Sequence, residues 1–363
     1  MNICFFHAGF SNVGGIERVV SILLEDMSAK EEHKLYSLEY AKVENRRVYD
    51  TNEKVCVVNL FEKSMSMTRA IIKHHIIRRV RSFLKENNID VIIACGVLYF
   101  PVAVLAAKHT KTKVVCWEHT NPYVSNNYRF QKISRMFGIK HSYKNVVITE
   151  KALNFYNNVR KNKNVLIYNP VDQALFDNAP IYNSDSKKVI SVGRLCYAKN
   201  YDLLIEIAQK VLSDNKDWSW DIYGGGEDYE RLKQKIQLTD VSDRLTLKGS
   251  VNDIYDRYKD YSFIVMTSRY EGFPMALLEA SAKALPMVSF DIDTGPSEII
   301  NDGQNGYLIE NNNKDSMIQK INLLMSDSDN RIKMSANAYG SSKNFSIEII
   351  SKKWNDFFEE LIL

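Results

Sequence analysis

The sequence has few of the features that mark disulfide-stapled, zinc-binding or membrane-spanning proteins. Its 363 residues include five cysteines, an odd number, with no CxxC spacing. This argues against a disulfide framework or a zinc site and predicts a reducing compartment. No run approaches the ~20 apolar residues of a membrane span. The opening MNICFFHAGF has no basic leader, so we expect a first strand rather than a signal peptide, and a cytoplasmic protein.

Charge is distributed unevenly along the chain. The formal net charge is +4. Residues 1–170 carry 26 Lys and Arg against 14 Asp and Glu, whereas residues 171–363 carry 22 against 30. This separation indicates that the first half meets an anionic partner. Chance in a composition rich in Lys and Asn explains the asymmetry equally well.

Short apolar runs alternate with amphipathic helical stretches throughout the chain. The alternation predicts parallel sheets with helices on both faces. A polar seam after residue 168 separates two such series, so we predict two Rossmann-like, doubly wound α/β domains, 1–170 and 171–345. The predicted strands are 3–6, 55–59, 91–94, 113–117, 145–149 and 165–168 in the first series and 189–192, 218–223, 245–248, 263–266, 287–290 and 306–309 in the second.

Two loops of the first series carry candidate residues, because ligands of such sheets bind beyond the carboxyl ends of strands. Gly14 and Gly15 precede the first predicted helix, where bare backbone lets an anion approach closely. A tight strand-to-helix turn is the simpler explanation. His119 ends the strand in VVCWEHTNP and can donate to a substrate or act as an acid or base, although it also fits an ordinary loop histidine.

Loops of the second series carry opposite charges. Arg194 and Lys199 in SVGRLCYAKN can converge on a diphosphate at a helix N-terminus. Gly224 in YGGGE lets a flat ring or phosphate lie against backbone, and Val251 in KGSV can meet a base edge. In YEGFPMALLEASAKALP, Glu271 opens a helix and Glu279 follows eight residues later. Carboxylates accept hydrogen bonds from vicinal hydroxyls. Favourable interaction with the helix dipole is enough to explain the position of Glu271 but not that of Glu279.

Together these motifs resemble the family 4 glycosyltransferases, which have the GT-B fold, and the likeness covers nearly the whole chain. EGFPMALLE is similar to the E-x7-E signature of that family. The resemblance implies two Rossmann-like domains facing a central cleft, and a final helix, 346–363, that crosses back to the N-terminal domain.

The resemblance also implies a role for each matching residue. Glu271 contacts the donor sugar, Glu279 the ribose, and Arg194 with Lys199 the diphosphate, while His119 lies beside the transferred sugar. The implied catalytic set is His119, Glu271, Arg194 and Lys199. The implied donor-binding set is Gly14, Gly15, Arg194, Lys199, Gly224, Val251, Glu271, Gly272, Phe273, Met275, Ala276 and Glu279.

Transfer with retention of anomeric configuration, without a metal or other cofactor, is what the resemblance implies. The pair Asp291 and Asp293 has no carboxylate cluster or histidine nearby in sequence, so we expect no metal there. The segment FDIDTGPSEII resembles hexosaminyl and galactosaminyl transferases that build bacterial surface glycans, although Ile292 and Asp293 replace the usual Cys-Pro. The implied donor is a UDP-linked hexose or N-acetylhexosamine. The implied acceptor is a glycan or a polyprenyl-diphosphate-linked saccharide.

Two basic stretches, 69–86 and 128–144, predict peripheral contact with an anionic membrane face. The second contributes Arg129, Lys132, Arg135, Lys140 and Lys144. Ordinary domain helices with a solvated basic face are the alternative. Nucleic acid fits poorly, because no recognition motif accompanies the charge. Rival functions are a same-fold UDP-HexNAc 2-epimerase, a phosphorylase, and a non-catalytic nucleotide-sugar-binding or carbohydrate-binding subunit.

Overall fold

A computed structural model of the protein describes residues 1–11, 14–41, 48–49, 51–62, 74–124, 129–177 and 180–362. The chain divides into two compact units. The first unit is Met1–Pro170 with Ile347–Leu363, and the second is Val171–Ser346. Every strand pair in the two sheets of the described chain is parallel. Across the same ranges, no helix is long and apolar enough to cross a bilayer.

The first unit contains a seven-stranded sheet of order β3-β2-β1-β4-β5-β6-β7. Its strands are β1 Asn2–His7, β2 Lys34–Glu39, β3 Cys56–Asn59, β4 Val91–Cys95, β5 Lys113–Glu118, β6 Lys144–Val147 and β7 Asn164–Leu166. Its helices are α1 Gly15–Lys30, α2 His74–Glu86, α3 Phe100–Ala107, α4 Arg129–His141, α5 Glu150–Val159 and the final α13 Ile347–Ile362. Strand β4 is a continuous buried apolar run, as a strand covered by helices on both faces requires.

The last helix of the chain belongs to the first unit. Trp354 is fully buried, and its ring centroid lies 4.8 Å from that of Trp117 and 6.3 Å from that of Phe5. At the helix end, Lys144 pairs with Glu360 at 2.6 Å. Aromatic packing on the central strands therefore holds α13 against this sheet.

The second unit contains a six-stranded sheet of order β10-β9-β8-β11-β12-β13. Its strands are β8 Lys188–Val192, β9 Ser219–Tyr223, β10 Leu245–Gly249, β11 Phe263–Met266, β12 Met287–Asp291 and β13 Gly306–Glu310. Its helices are α6 Tyr201–Asp214, α7 Tyr229–Gln237, α8 Ile254–Arg257, α9 Met275–Ala282, α10 Pro296–Ile299, α11 Lys314–Ser326 and α12 Ser328–Ser342.

The doubly wound α/β prediction is confirmed, and each of the predicted strands is present with ends that agree within two residues. Strand β2 was not predicted. Its sequence, KLYSLE, places Ser37 and Glu39 at buried positions, so the apolar run that marks a buried strand is interrupted. The basic stretch 69–86 begins outside the described residues, which show α2 from His74 to Glu86.

Both sheets have a topological switch point, where the winding direction reverses. It lies between β1 and β4 in the first unit and between β8 and β11 in the second. Ligands of open parallel sheets bind beyond the carboxyl ends of the strands at such points. The loops after these strands are therefore the places to look for a site.

Candidate functional site

The switch point of the second unit brings together Lys199, from the loop after β8, and Glu271, from the loop after β11. Lys199 Nζ lies 2.5 Å from Glu271 Oε1, and the Ser268 hydroxyl donates to the same oxygen at 2.6 Å. The side chain of Lys199 is 22% exposed, and that of Glu271 is 10% exposed. This partly desolvated ion pair leaves a cation and a carboxylate accessible at the position where ligands of this fold bind.

Glycines in the loop after β9 allow this loop to pack backbone against backbone with the loop after β8. Leu195 N–H donates to the Gly225 carbonyl at 2.9 Å, and Gly193 N–H donates to the Tyr223 carbonyl at 3.0 Å. A Cβ added to Gly224, whose φ is +148°, would lie 1.9 Å from the Gly193 oxygen. The glycine is thus required by the fold whether or not it also approaches a ligand. It sets the path of the loop that carries the exposed Arg194.

Glu279 lies in the second turn of α9 and is 7% exposed. The Tyr258 hydroxyl is 3.5 Å from Glu279 Oε2, at the limit of hydrogen bonding. Met275 and Ala276 form the first turn of the same helix, and first-turn N–H groups are the ones that helices present to anions. The helix therefore carries a buried carboxylate one turn behind its N-terminus.

The loop after β12 supports the entry to α9. The Thr294 hydroxyl donates to the backbone carbonyl of Glu271 at 2.5 Å. Gly295 has φ +102°, and a Cβ there would lie 2.6 Å from Pro274 Cδ. The nearby Asp291 and Asp293 are exposed. Within the described chain, no three His, Cys, Asp or Glu side chains are grouped to hold a metal ion.

Gly14 and Gly15 lie at the start of α1 in the first unit. Gly14 is the N-cap residue with an extended backbone, φ −159°, a conformation open to any residue. Its carbonyl accepts from Arg18 N–H at 3.1 Å. A Cβ on Gly14 would lie 2.3 Å from Glu17 Oε2, the end of a flexible side chain. Residues 12 and 13 of this loop lie outside the described ranges.

His119 follows β5 and is buried, with its ring centroid 4.2 Å from that of Trp117. Burial lowers the pKa of His119 to about 3, so the imidazole is neutral at physiological pH. Its Nε2 atom has no hydrogen-bond partner among the residues that the structure describes. The ring is therefore suited to hydrogen bonding in its neutral form rather than to donating a proton as an imidazolium.

A buried charged network braces the residues around His119, and sequence reasoning missed it. Arg135 Nε lies 2.9 Å from Glu118 Oε2, which also accepts from the Tyr156 hydroxyl at 3.0 Å. Arg135 also donates to the Thr120 hydroxyl at 2.7 Å, and that hydroxyl donates to Glu118 Oε1 at 2.5 Å. Glu118, at the end of the apolar strand VVCWE, could have predicted this network from the sequence, because a buried carboxylate requires a partner.

The network corrects one prediction: Arg135 is not part of a membrane-facing basic surface, because it is 4% exposed. Lys144 of the same stretch pairs with Glu360, whereas Arg129, Lys132 and Lys140 are exposed. On α2, His74, His75, Arg78, Arg79 and Lys85 are exposed. Half-buried Arg81 instead donates to the carbonyls of Leu105 and Ala106. Residues 69–73 and 128 lie outside the described ranges.

Two family models match this chain. The family described as "Glycosyl transferases group 1" matches residues 172–341, and "Glycosyltransferase Family 4" matches residues 13–175. The matched regions together span most of the chain and correspond closely to the second and first units.

Curated relatives and solved structures agree with these matches. The amylovoran biosynthesis glycosyltransferase AmsD of Erwinia amylovora is 28% identical, over 96% of this chain and 97% of its own. A poly(ribitol-phosphate) alpha-N-acetylglucosaminyltransferase of Staphylococcus aureus is 33% identical, over 50% of this chain and 37% of its own. The structure of Anabaena Alr3699/HepE in complex with UDP superposes with a TM-score of 0.81 at 16% identity, covering 99% of this chain and all of that one. The predicted GT-B fold is confirmed.

Proposed function

Because this chain belongs to the group 1 and family 4 glycosyltransferases, we propose that it transfers a hexose or an N-acetylhexosamine from a UDP-linked donor. The acceptor is a glycan or a polyprenyl-diphosphate-linked saccharide in surface polysaccharide biosynthesis. The observation that carries the proposal is the pairing of Lys199 with Glu271 at the switch point of the second unit. The names of the bacterial relatives support the polysaccharide context, and the UDP complex of the structural neighbour supports the base.

The charged groups of the second unit match the parts of a nucleotide sugar. Lys199 and Arg194 are the cations for the diphosphate, and they stabilise its negative charge as it leaves. Glu271 accepts hydrogen bonds from hydroxyls of the transferred sugar, and Glu279 accepts from the ribose hydroxyls. When the diphosphate binds, Lys199 is shared between it and Glu271, so the ion pair orients the cation before the donor arrives.

Transfer proceeds with retention of configuration. The bond between the anomeric carbon and the diphosphate oxygen breaks, and the acceptor hydroxyl oxygen forms its bond on the same face of the sugar. The hydroxyl proton passes to the departing diphosphate. Arg194 and Lys199 supply the positive charge that this departure needs, so the reaction requires neither a metal ion nor another cofactor. His119, neutral because of its burial, holds a hydroxyl of the transferred sugar by hydrogen bonding.

Contact with an anionic membrane surface is a further part of the proposal. On α4, Ile133 is 65% exposed beside the exposed Arg129 and Lys132. An apolar side chain flanked by cations suits the headgroup region of an anionic leaflet. Cosedimentation with vesicles containing phosphatidylglycerol tests this: binding should weaken in an Arg129→Glu, Lys132→Glu variant, and equal binding of that variant would contradict it.

A binding and turnover screen tests the proposed function. UDP-glucose, UDP-galactose and UDP-GlcNAc are titrated calorimetrically, and UDP release is followed with and without saccharide acceptors. We expect one donor to bind and to release UDP faster with an acceptor. Conversion of the nucleotide sugar into its epimer in the absence of an acceptor would indicate an epimerase. Binding without turnover would indicate a non-catalytic subunit, and the absence of binding would contradict the proposal altogether.

A further inference from the structure

Two buried side-chain nitrogens in the loop after β5 lack hydrogen-bond partners. His119 is 8% exposed and Asn121 is 4% exposed. Within the described part of the chain, neither His119 Nε2 nor Asn121 Nδ2 has a partner. An unsatisfied buried polar group costs about 1–3 kcal/mol, and native proteins contain few of them. These two groups lie within three residues of each other in a loop beyond the carboxyl end of a strand, where ligands of such sheets bind, so a ligand placed there can complete their hydrogen bonding.

The orientation of the Asn121 amide follows from its one internal hydrogen bond. The Tyr123 backbone N–H donates to Asn121 Oδ1 at 2.8 Å. Because a backbone N–H can only donate, the oxygen must occupy this position and the amide nitrogen the other. Asn121 therefore offers a ligand two N–H donors on Nδ2, while its Oδ1 already accepts one hydrogen bond.

The electrostatics of the loop favour a neutral ligand. The charge of Glu118 is compensated by Arg135 at 2.9 Å, and burial keeps His119 uncharged because its pKa is lowered. A phosphate group selects sites with uncompensated cations, whereas a hydroxyl accepts from an amide and either donates to or accepts from a neutral imidazole. Hydroxyl groups are thus the chemistry that fits both nitrogens.

We propose that Asn121, together with His119, binds hydroxyl groups of a saccharide, which makes Asn121 a ligand-binding residue of the first unit. The identity of that saccharide rests on the proposed function, since it is either the transferred sugar or part of the acceptor. Arg135 is a positioning residue in this arrangement. Its contacts to Glu118 and Thr120 hold the residues on both sides of His119.

The substitution Asn121→Asp tests the proposal without removing the turn. It keeps Oδ1 as the acceptor for Tyr123 N–H and replaces the amide donor by an oxygen. For the preferred donor among UDP-glucose, UDP-galactose and UDP-GlcNAc, we expect kcat/KM of UDP release to fall roughly tenfold at pH 8. Burial raises the pKa of the new carboxyl, and its protonated form donates again. The deficit relative to wild type should therefore shrink to about threefold at pH 5.5.

Asn183→Asp is the matched control, because Asn183 Oδ1 accepts from Asp185 N–H at 3.1 Å in the same kind of turn and is exposed. It should leave activity unchanged at every pH. If wild type turns over a donor and Asn121→Asp matches it throughout, the inference is wrong and the proposed function stands.

If wild type turns over none of the three donors, the proposed function fails and binding decides the role of Asn121. Saturation-transfer NMR at pH 8 then compares the sugar protons of the same nucleotide sugars and, separately, those of the saccharide acceptors, which distinguishes the transferred sugar from the acceptor. A signal with wild type that weakens with Asn121→Asp supports the inference. Equal signals, or no signal with wild type, overturn it.

Discussion

In the second unit, the loops after β8 and β11 bring together charged side chains that stay partly accessible, with Lys199 22% and Glu271 10% exposed. In the first unit, the loop after β5 instead buries neutral hydrogen-bonding groups on His119 and Asn121. Both sheets share the order 3-2-1-4-5-6 through their first six strands. The same topology therefore presents charged, partly accessible side chains in one unit and neutral, buried ones in the other, because the loops and not the strands determine the chemistry.

The two groups of residues also differ in how their loops are held. In the second unit, glycines let neighbouring backbones approach, as at Gly224 and Gly193. In the first unit, a buried ion pair between Arg135 and Glu118 fixes the loop. Backbone packing leaves Lys199 and Glu271 partly accessible, whereas the charges of Glu118 and Arg135 are paired with each other inside the first unit.

Breaking the buried ion pair should have the largest effect. Arg135→Met leaves Glu118 buried without its cation, and loss of one partner of a buried pair costs about 3–5 kcal/mol. We expect a fall of that size in the free energy of unfolding of the first unit, measured by denaturant titration. Arg129→Met, on the exposed side of the same helix, is the control and should change stability little. Equal effects of the two substitutions would contradict the bracing role of Arg135.

Filling the space at Gly224 should destabilise the second unit. Gly224→Ala places a Cβ 1.9 Å from the Gly193 oxygen at a φ of +148°, and we expect a loss of roughly 2 kcal/mol or more. Gly340→Ala is the matched control, because a Cβ there meets nothing within 4 Å in the helix α12. That substitution should stabilise slightly. Thermal unfolding of both variants distinguishes a fold requirement from a purely ligand-binding glycine.

Removing Arg194 should weaken nucleotide binding without affecting stability. Arg194→Ala deletes a cation from the proposed diphosphate site, and we expect UDP affinity to fall about tenfold. Calorimetric titration with UDP measures the change. Arg231→Ala removes an exposed arginine that pairs with Asp202 outside the site and should bind UDP as wild type does. Undiminished affinity in Arg194→Ala would remove this residue from the site.

Lowering the pH should have a smaller effect on the free energy of unfolding, and this effect reports on the buried neutral His119. Its pKa is lowered to about 3 by burial, whereas an unfolded histidine titrates near 6.5. Between these values the unfolded state binds more protons, so the contribution of His119 to stability is lost as pH falls through that window. From pH 7 to pH 5, wild type should lose about 1–2 kcal/mol more than His119→Gln. Identical losses in denaturant titrations would show that His119 is not buried neutral.

The contrast between the sites explains what the sequence could and could not reveal. Lys199 and Glu271 were predictable because charged residues stood next to strand ends in sequence. Glu118 and Arg135 were not, since their pairing joins β5 to a helix seventeen residues later, and Arg135 looked like a surface cation. Asn121 was missed for a related reason. Its proposed role follows from a buried amide nitrogen that has no partner among the described residues, and this burial is decided by the tertiary fold rather than by the local turn to Tyr123.

The central claim is that Lys199 and Glu271 of the second unit separate two tasks, holding the diphosphate and holding the transferred sugar. Glu271→Gln keeps the size of the side chain and removes its charge. The most direct measurement is the kcat of UDP release for this variant beside its calorimetric affinity for UDP. We expect kcat to fall roughly 10²-fold, while UDP binds as tightly as before or more tightly because Lys199 is no longer shared. Wild-type turnover, or loss of UDP binding together with turnover, would contradict the claim.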